Sequence, residues 1–138
     1  MIFQQGLVFD TSGRGSYNIT QTVAKVVAES GLRRGLCQVF VQHTSASLML
    51  CENADPTVRR DLEMILSRLA PDADPGYRHT LEGPDDMSAH IRSILTKMDL
   101  CLPVRDGHLA LGGWQGIFLY EHRSQPQMRS LLVTLNGE

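Results

Sequence analysis

The chain lacks any uninterrupted apolar run approaching the ~20 residues that a membrane-spanning helix requires, so no membrane partner is expected. Its first residues, Met1-Ile2-Phe3-Gln4-Gln5, carry neither the basic segment nor the long apolar segment of a secretory signal. Cysteine is scarce: Cys37, Cys51 and Cys101 are odd in number, show no CxxC spacing and lie in apolar stretches. Free cysteine in such settings behaves as a small hydrophobe, so reduced thiols in a cytoplasmic protein are expected. An excess of one charge is also missing. Thirteen basic and fifteen acidic residues intermix to a formal net charge of -2. No basic stripe interleaved with aromatics marks a nucleic-acid binder, and none is expected as a partner.

Repeats, linkers and low-complexity segments are absent, so residues 1–138 are read as a single domain. A domain of this length buries roughly 68–70% of the surface of its unfolded chain, enough for a real core. Residues 2–11 fit an opening strand, and Asp10 to Ser16 a loop. Asn18, with Gln21 three positions on, resembles a capping box, and Gly31 suits a left-handed stop. Ile19, Val23, Val26 and Val27 follow helical spacing between them. Cys37 to His43 alternates as a strand, placing His43 on the face of Val39 and Val41. A short strand over Ser47 to Glu52 follows a turn.

Asp55-Pro56 starts a helix whose buried stripe is expected to be Val58, Leu62, Ile65, Leu66 and Leu69. A third helix, from about Gly83 to Lys97, carries the stripe Met87, Ile91, Ile94, Leu95 and Met98. Strands are expected over Leu100 to Arg105, Leu109 to Leu111, Ile117 to Arg123 and Leu131 to Leu135. This order does not alternate as parallel βαβ units do. An α+β fold with a largely antiparallel or mixed sheet and about three helices follows.

Polar residues capable of chemistry concentrate in five segments. These are His43 to Ser47, Glu52 to Pro56, His79 to His90, Leu111 to Ile117 and Glu121 to Arg123. His43 reads either as a core histidine bonded to a backbone carbonyl or as a pocket residue. His90 lies four residues after Asp86, so both share a helix face, as a surface pair or as metal ligand and orienter. Glu82, Asp85 and Asp86 make a dense negative cluster beside two histidines; the helix dipole explains part of it, a cation the rest. Glu121 shares a strand face with Ile117 and Leu119, where a carboxylate needs Arg123, Arg129 or a metal as partner. His122 sits on the opposite face and is read as structural. Ser45 and Ser47 bond a phosphate or close the turn, and the Gly112-Gly113-Trp114-Gln115-Gly116 segment matches no P-loop or dinucleotide fingerprint.

In register, these five segments resemble the YjbQ-like family of secondary thiamine-phosphate synthases over nearly the whole chain. Two positions depart from that pattern: Gly113 stands where the family typically has Thr, and Ser88 where it has Pro. The resemblance implies a homotrimer with pockets near the subunit interfaces. It implies a metal held by His43, His79 and His90, Zn2+ being the expected ion and Mg2+ an option for a diphosphate substrate. Asp86 and Glu121 are then the expected catalytic acids, and Ser45, Asn53 and Arg123 the contacts to a phosphorylated small molecule. The implied reaction joins a pyrimidine methyl diphosphate to a thiazole phosphate. The same residues also suit a zinc-dependent hydrolase of a small metabolite, or a trimeric metal- or ligand-binding protein without turnover.

Overall fold

Gly31 and Asp55 do what the sequence expects of them. In the computed structural model, which describes residues 1–138, Gly31 adopts φ 74° and closes the first helix, α1 (Thr20–Ser30). The Asp55 carboxylate accepts the Thr57 amide at 2.9 Å, with Pro56 opening the second helix, α2 (Pro56–Leu69). Asn18 acts one place earlier than a cap: its Oδ1 accepts the Thr20 amide and hydroxyl while Ile19 occupies the cap position. The third helix, α3, spans Asp86–Leu95.

The strands are β1 (Ile2–Asp10), β2 (Gly15–Asn18), β3 (Gly35–Val41), β4 (Ala46–Glu52), β5 (Asp99–Arg105), β6 (His108–Leu109), β7 (Gln115–Glu121) and β8 (Met128–Gly137). Five of them form one sheet in the order β1-β8-β3-β5-β6, and three form a second in the order β2-β7-β4. Every pairing is antiparallel. The expected α+β class is therefore what the chain adopts. β2 begins inside the stretch read as loop and runs on to Asn18, because Tyr17 and its neighbours pair with Leu119 and its neighbours on β7, a long-range contact with no local signal.

Two-residue alternation builds the core. Cys37, Val39 and Val41 on β3, Leu100, Leu102 and Val104 on β5, and Leu131, Val133 and Leu135 on β8 point to one side. There they meet Val23, Val26 and Val27 of α1 and Ala46, Leu48, Ile117 and Leu119 of the smaller sheet in a single buried cluster. Burial pushes the Cys37 thiol up to about 11, so it is an inert apolar filler. No helix is long and apolar enough to cross a membrane.

Two expected stripes are corrected. No α2 residue is buried, and Leu62, Ile65 and Leu66 face an open groove of about 510 Å3 shared with Leu48, Leu50 and Leu95, while Leu69 is exposed. The stripe exists, but nothing within one chain covers it. On α3 the polarity is reversed: Asp86, Ser88, Ala89, Arg92 and Ser93 are buried while Ile94 and Leu95 are exposed. Hydrogen bonds and ion pairs, described below, hold the polar face down.

At the far end of the large sheet, Gly35 and Gly137 pair directly and the backbones approach too closely for side chains. A Cβ on Gly35, at φ 157°, would run into the Asn136 carbonyl, and one on Gly137 into the Arg34 carbonyl. Gly35→Ala is expected to lower the unfolding free energy by about 1–3 kcal/mol, as overpacking against immobile backbone does. Urea denaturation checks this; an unchanged midpoint would show that the strands part without cost.

Candidate functional site

One end of the molecule gathers the end of β3, the start of β4, the end of β7, the start of β8 and the N-terminus of α3. The chain before α3 turns back at Gly83, whose φ of 105° only glycine adopts without strain. Asp85 follows at the cap position, yet its side chain does not cap the helix. It reaches across to β7's exit, accepting the Ser124 amide at 2.7 Å, the Ser124 hydroxyl at 3.0 Å and Arg123 Nε at 3.1 Å. Burial works against its ionisation, but the Ser124 amide, Arg123 and the Ser124 hydroxyl outweigh that and hold the carboxyl down at about 2.

Asp86 is the hub. Its Oδ2 lies 2.7 Å from His79 Nε2 and 3.0 Å from His90 Nε2, and its Oδ1 accepts Arg123 Nη1 at 2.9 Å. Burial raises its pKa, but the His79 hydrogen bond and the charges of His90 and Arg123 overcome this, leaving it below the usual carboxylate range. The rings of His79 and His90 lie 5.3 Å apart. One ligand atom from each of His79, Asp86 and His90 falls within 4.8 Å of the others, close enough together for one small cation to be shared by all three. On its outer side, His90 Nδ1 sits 3.0 Å from the Thr44 carbonyl oxygen. The i,i+4 spacing of Asp86 and His90 on α3 makes two of the three members of this cluster; the loop bearing His79 supplies the third.

Beneath the cluster lies a sealed ion pair. Glu121, with no exposed surface, accepts from Thr11 Oγ1 at 2.8 Å, from Arg129 Nε at 2.8 Å, from Arg129 Nη2 and from the Arg123 amide at 3.1 Å. Those four donors fill its carboxylate. The expectation of a catalytic acid at Glu121 is thus corrected: no face is left for a substrate, and its position sets those of Arg123 and Arg129. Ser45, expected at the phosphate, is likewise engaged, its hydroxyl and carbonyl both accepting Arg129 Nη2.

His43 does not join the other two histidines. Its Nε2 accepts the Ser130 amide at 2.8 Å, and it lies just past β3 rather than on it. Burial and then the Arg129 charge lower its pKa, so the neutral, accepting ring is favoured. Asn53 also lies elsewhere. It follows the far end of β4, roughly 20 Å or more from Ser45 at ~3.3 Å per residue, and faces the carbonyls of Gly113 and Gln115. Arg123 is present at the cluster with three of its N–H groups on Asp85, Asp86 and the Glu82 carbonyl. His122, read as structural, is fully buried; it contacts Ser47 Oγ at 2.7 Å through Nε2, and its Nδ1 has no partner.

Sequence reasoning named Arg129 as one partner among three and missed Thr11, Asp72, Glu63 and Arg92. Arg92, without exposed surface, donates to both Glu63 oxygens at 2.7 and 2.8 Å; Asp72 accepts from Arg14 and Ser88. A signal was available. Asp85, Ser88, Arg92, Ser93 and Thr96 recur at helical spacing as a second, polar stripe along α3 and its two caps.

Two outcomes follow from this burial. Arg129→Met leaves the Glu121 charge unpaired and should cost about 3–5 kcal/mol in urea unfolding, far more than a surface arginine would. A loss below ~1 kcal/mol, the surface-pair level, would mean that Glu121 is not sealed. Burial, followed by the charges of Arg92, Arg14 and Arg129, pushes His122 down to about 3 from 6.5. The unfolded chain therefore binds the extra proton, and stability should fall as pH drops from about 6.5 toward 3. The Asp85 contribution, intact above 3.8, is lost as pH falls through about 2. Unfolding free energy measured against pH should lose part of its slope between 3 and 6.5 in His122→Gln; an identical slope would place the titration elsewhere.

The sequence profile of the UPF0047 protein YjbQ-like family matches residues 5–138. The UPF0047 protein sll1880 of Synechocystis is 49% identical over 135 residues, covering 98% of this chain and 92% of that protein. The UPF0047 protein YjbQ of Escherichia coli O157:H7 is 42% identical over the whole of both chains. A crystal structure of a yjbq/upf0047 family protein from Clostridium acetobutylicum superposes with a TM-score of 0.88 at 34% identity, covering 96% of this chain and 99% of that one. The conserved hypothetical protein TT1486 of Thermus thermophilus gives 0.85 at 39% identity with the same coverage. Sequence and fold agree along the full length, and the chain belongs to the UPF0047, YjbQ-like family.

Proposed function

We propose that His79, Asp86 and His90 bind a divalent metal, Zn2+ in the first instance, and that the protein acts through this site on a small phosphorylated substrate. The observation that carries this is the environment of His90. Nδ1 faces the Thr44 carbonyl and Nε2 faces Asp86 Oδ2, each at 3.0 Å, and both oxygens only accept. A neutral imidazole has one N–H, so one contact lacks a proton unless the ring is doubly protonated or a cation stands between Nε2 and the carboxylate. Donating Nδ1–H to a backbone carbonyl while Nε2 turns inward is the habit of metal-bound histidine. Three protein ligands would leave a position for substrate.

The resemblance to secondary thiamine-phosphate synthases suggests the chemistry. The thiazole nitrogen attacks the pyrimidine methylene, the bond from that carbon to the diphosphate oxygen breaks, and diphosphate leaves with the electron pair. A bound ion would supply Lewis-acid stabilisation of that leaving charge. Arg123 is held by Asp85, Asp86 and the Glu82 carbonyl, and its two remaining N–H groups are available to a phosphate oxygen. Glu121 and Arg129 act from below by fixing the Arg123 amide and the Ser45 turn. Apolar side chains left uncovered, among them Leu62, Ile65 and Leu69 on α2 and Val8, Leu36 and Phe40 outside the large sheet, support self-association, with a homotrimer as the state the family implies. A second reading, a metal- or ligand-binding protein without turnover, is favoured by the full engagement of Glu121 and Asp86, the two carboxylates expected to act as catalytic acids.

Elemental analysis of the purified protein is expected to find about one Zn2+ per chain, and His79→Ala, Asp86→Ala and His90→Ala each to weaken uptake by more than ~10-fold. His43→Ala should retain the metal. Diphosphate release from the two thiamine precursors, abolished in the same three variants, would establish the synthase. Stoichiometric metal without product would leave the binding protein, and folded wild type that takes up no divalent ion would sink the metal reading.

A further inference from the structure

A second cavity, of about 310 Å3, lies between β2 and the first turns of α2, lined by Arg14, Ser16, Arg59, Arg60, Glu63 and Tyr120. Three guanidiniums share it with one carboxylate. Glu63 is already neutralised: it accepts both contacts from Arg92 Nη1 and the hydroxyl of Tyr120. Arg14 is matched by Asp72, in two bonds of 2.8 and 2.9 Å, and by the His122 carbonyl. Arg59 and Arg60 form no ion pair at all. The neighbouring carboxylates of Glu52 and Asp55 bond backbone instead of either arginine: Glu52 accepts the amides of Ala54 and Asp55, and Asp55 that of Thr57.

The two unmatched cations are not equally loose. Arg59 is held with its guanidinium carbon 4.6 Å from the centre of the Phe118 ring, and it donates one N–H to the Glu52 carbonyl at 3.3 Å. Its remaining donors are thereby set in place before any ligand arrives, while Arg60 is exposed and free to close over it. Ser16, half-buried on β2, adds a hydroxyl from the opposite wall. Two arginine forks and a hydroxyl around a cavity of this size suit a tetrahedral dianion. A carboxylate would use only one of the forks.

We infer that this pocket is a second binding site, separate from the His79–Asp86–His90 cluster, for the phosphate or diphosphate group of a small anion. It stands whether or not the metal site does. Its connection to the first site is a chain of bonds: Arg14 at its wall holds Asp72, and Asp72 accepts the hydroxyl of Ser88, two residues beyond Asp86 on α3.

The test uses the full chain and inorganic phosphate, diphosphate and sulfate at matched ionic strength, followed by calorimetry and by amide NMR shifts. Diphosphate is expected to move Ser16, Arg59 and Arg60, and Arg59→Gln/Arg60→Gln to weaken it by at least about tenfold with zinc uptake unchanged. His90→Ala should lose zinc and keep diphosphate. Arg60→Gln alone, a surface change, guards against a misfolded double variant and should give a smaller loss of the same sign. The inference is overturned if diphosphate binding to the metal-free protein survives the arginine substitutions, or if it vanishes with His90→Ala.

Discussion

The ion pair of Glu121 and Arg129 is the constraint on which the rest of this end of the molecule depends. Moving either charge from water into the interior costs several kcal/mol, and the loss is offset only when every lone pair and N–H finds a partner. Glu121 achieves this with Thr11 from β1's exit, Arg129 from β8 and the Arg123 amide, while Arg129 also ties down Ser45 at the entry to β4. Segments from both sheets are thus fixed to one buried ion pair, three through the Glu121 carboxylate and the Ser45 turn through Arg129. Arg123 and Thr44, which hold Asp86 and His90, emerge from two of those segments. The geometry of the candidate site is inherited from a pair that never meets solvent.

The third helix is the other half of the arrangement. It turns its polar face inward and leaves Ile94 and Leu95 outside, the reverse of an ordinary amphipathic helix. That inversion is sustainable because the buried groups are partnered: Arg92 by Glu63, Ser88 by Asp72 and the Asp85 carbonyl, Asp86 by two histidines and Arg123. The residual orphans, Arg92 Nε and His122 Nδ1, lie in the same polar layer. A core built this way stores little hydrophobic stabilisation, but it specifies a single arrangement of the helix against β4 and β7, which a cluster of ligand atoms requires.

The apolar side chains that α3 and α2 leave outside have a separate meaning. A stripe at helical spacing with no buried member is not a failed core, since the eighteen-residue cluster beneath the sheets is complete without it. Under the proposed self-association a second copy would cover this surface, and the UPF0047 relatives, matched along their full length, offer the frame in which to look for it.

By itself the sequence determined the local features: two strong helix boundaries, because a left-handed glycine and an Asp-Pro start are written in single residues, and most strands, because alternation is a property of neighbours. It determined the family, through five polar segments in register, and it placed Asp86 and His90 together by four-residue spacing. The tertiary structure decided what distance along the chain hides. It brought His79 to that pair and withheld His43, whose ring nitrogen was claimed by the Ser130 amide from a strand 87 residues away. It separated Asn53 from Ser45 by the length of a strand, and it chose Arg129 over the other partners that Glu121 had. Apolar periodicity names the face a helix would bury if hydrophobicity alone decided. On α3, long-range ion pairs decided instead, and no pattern within ten residues records the carboxylates that made them.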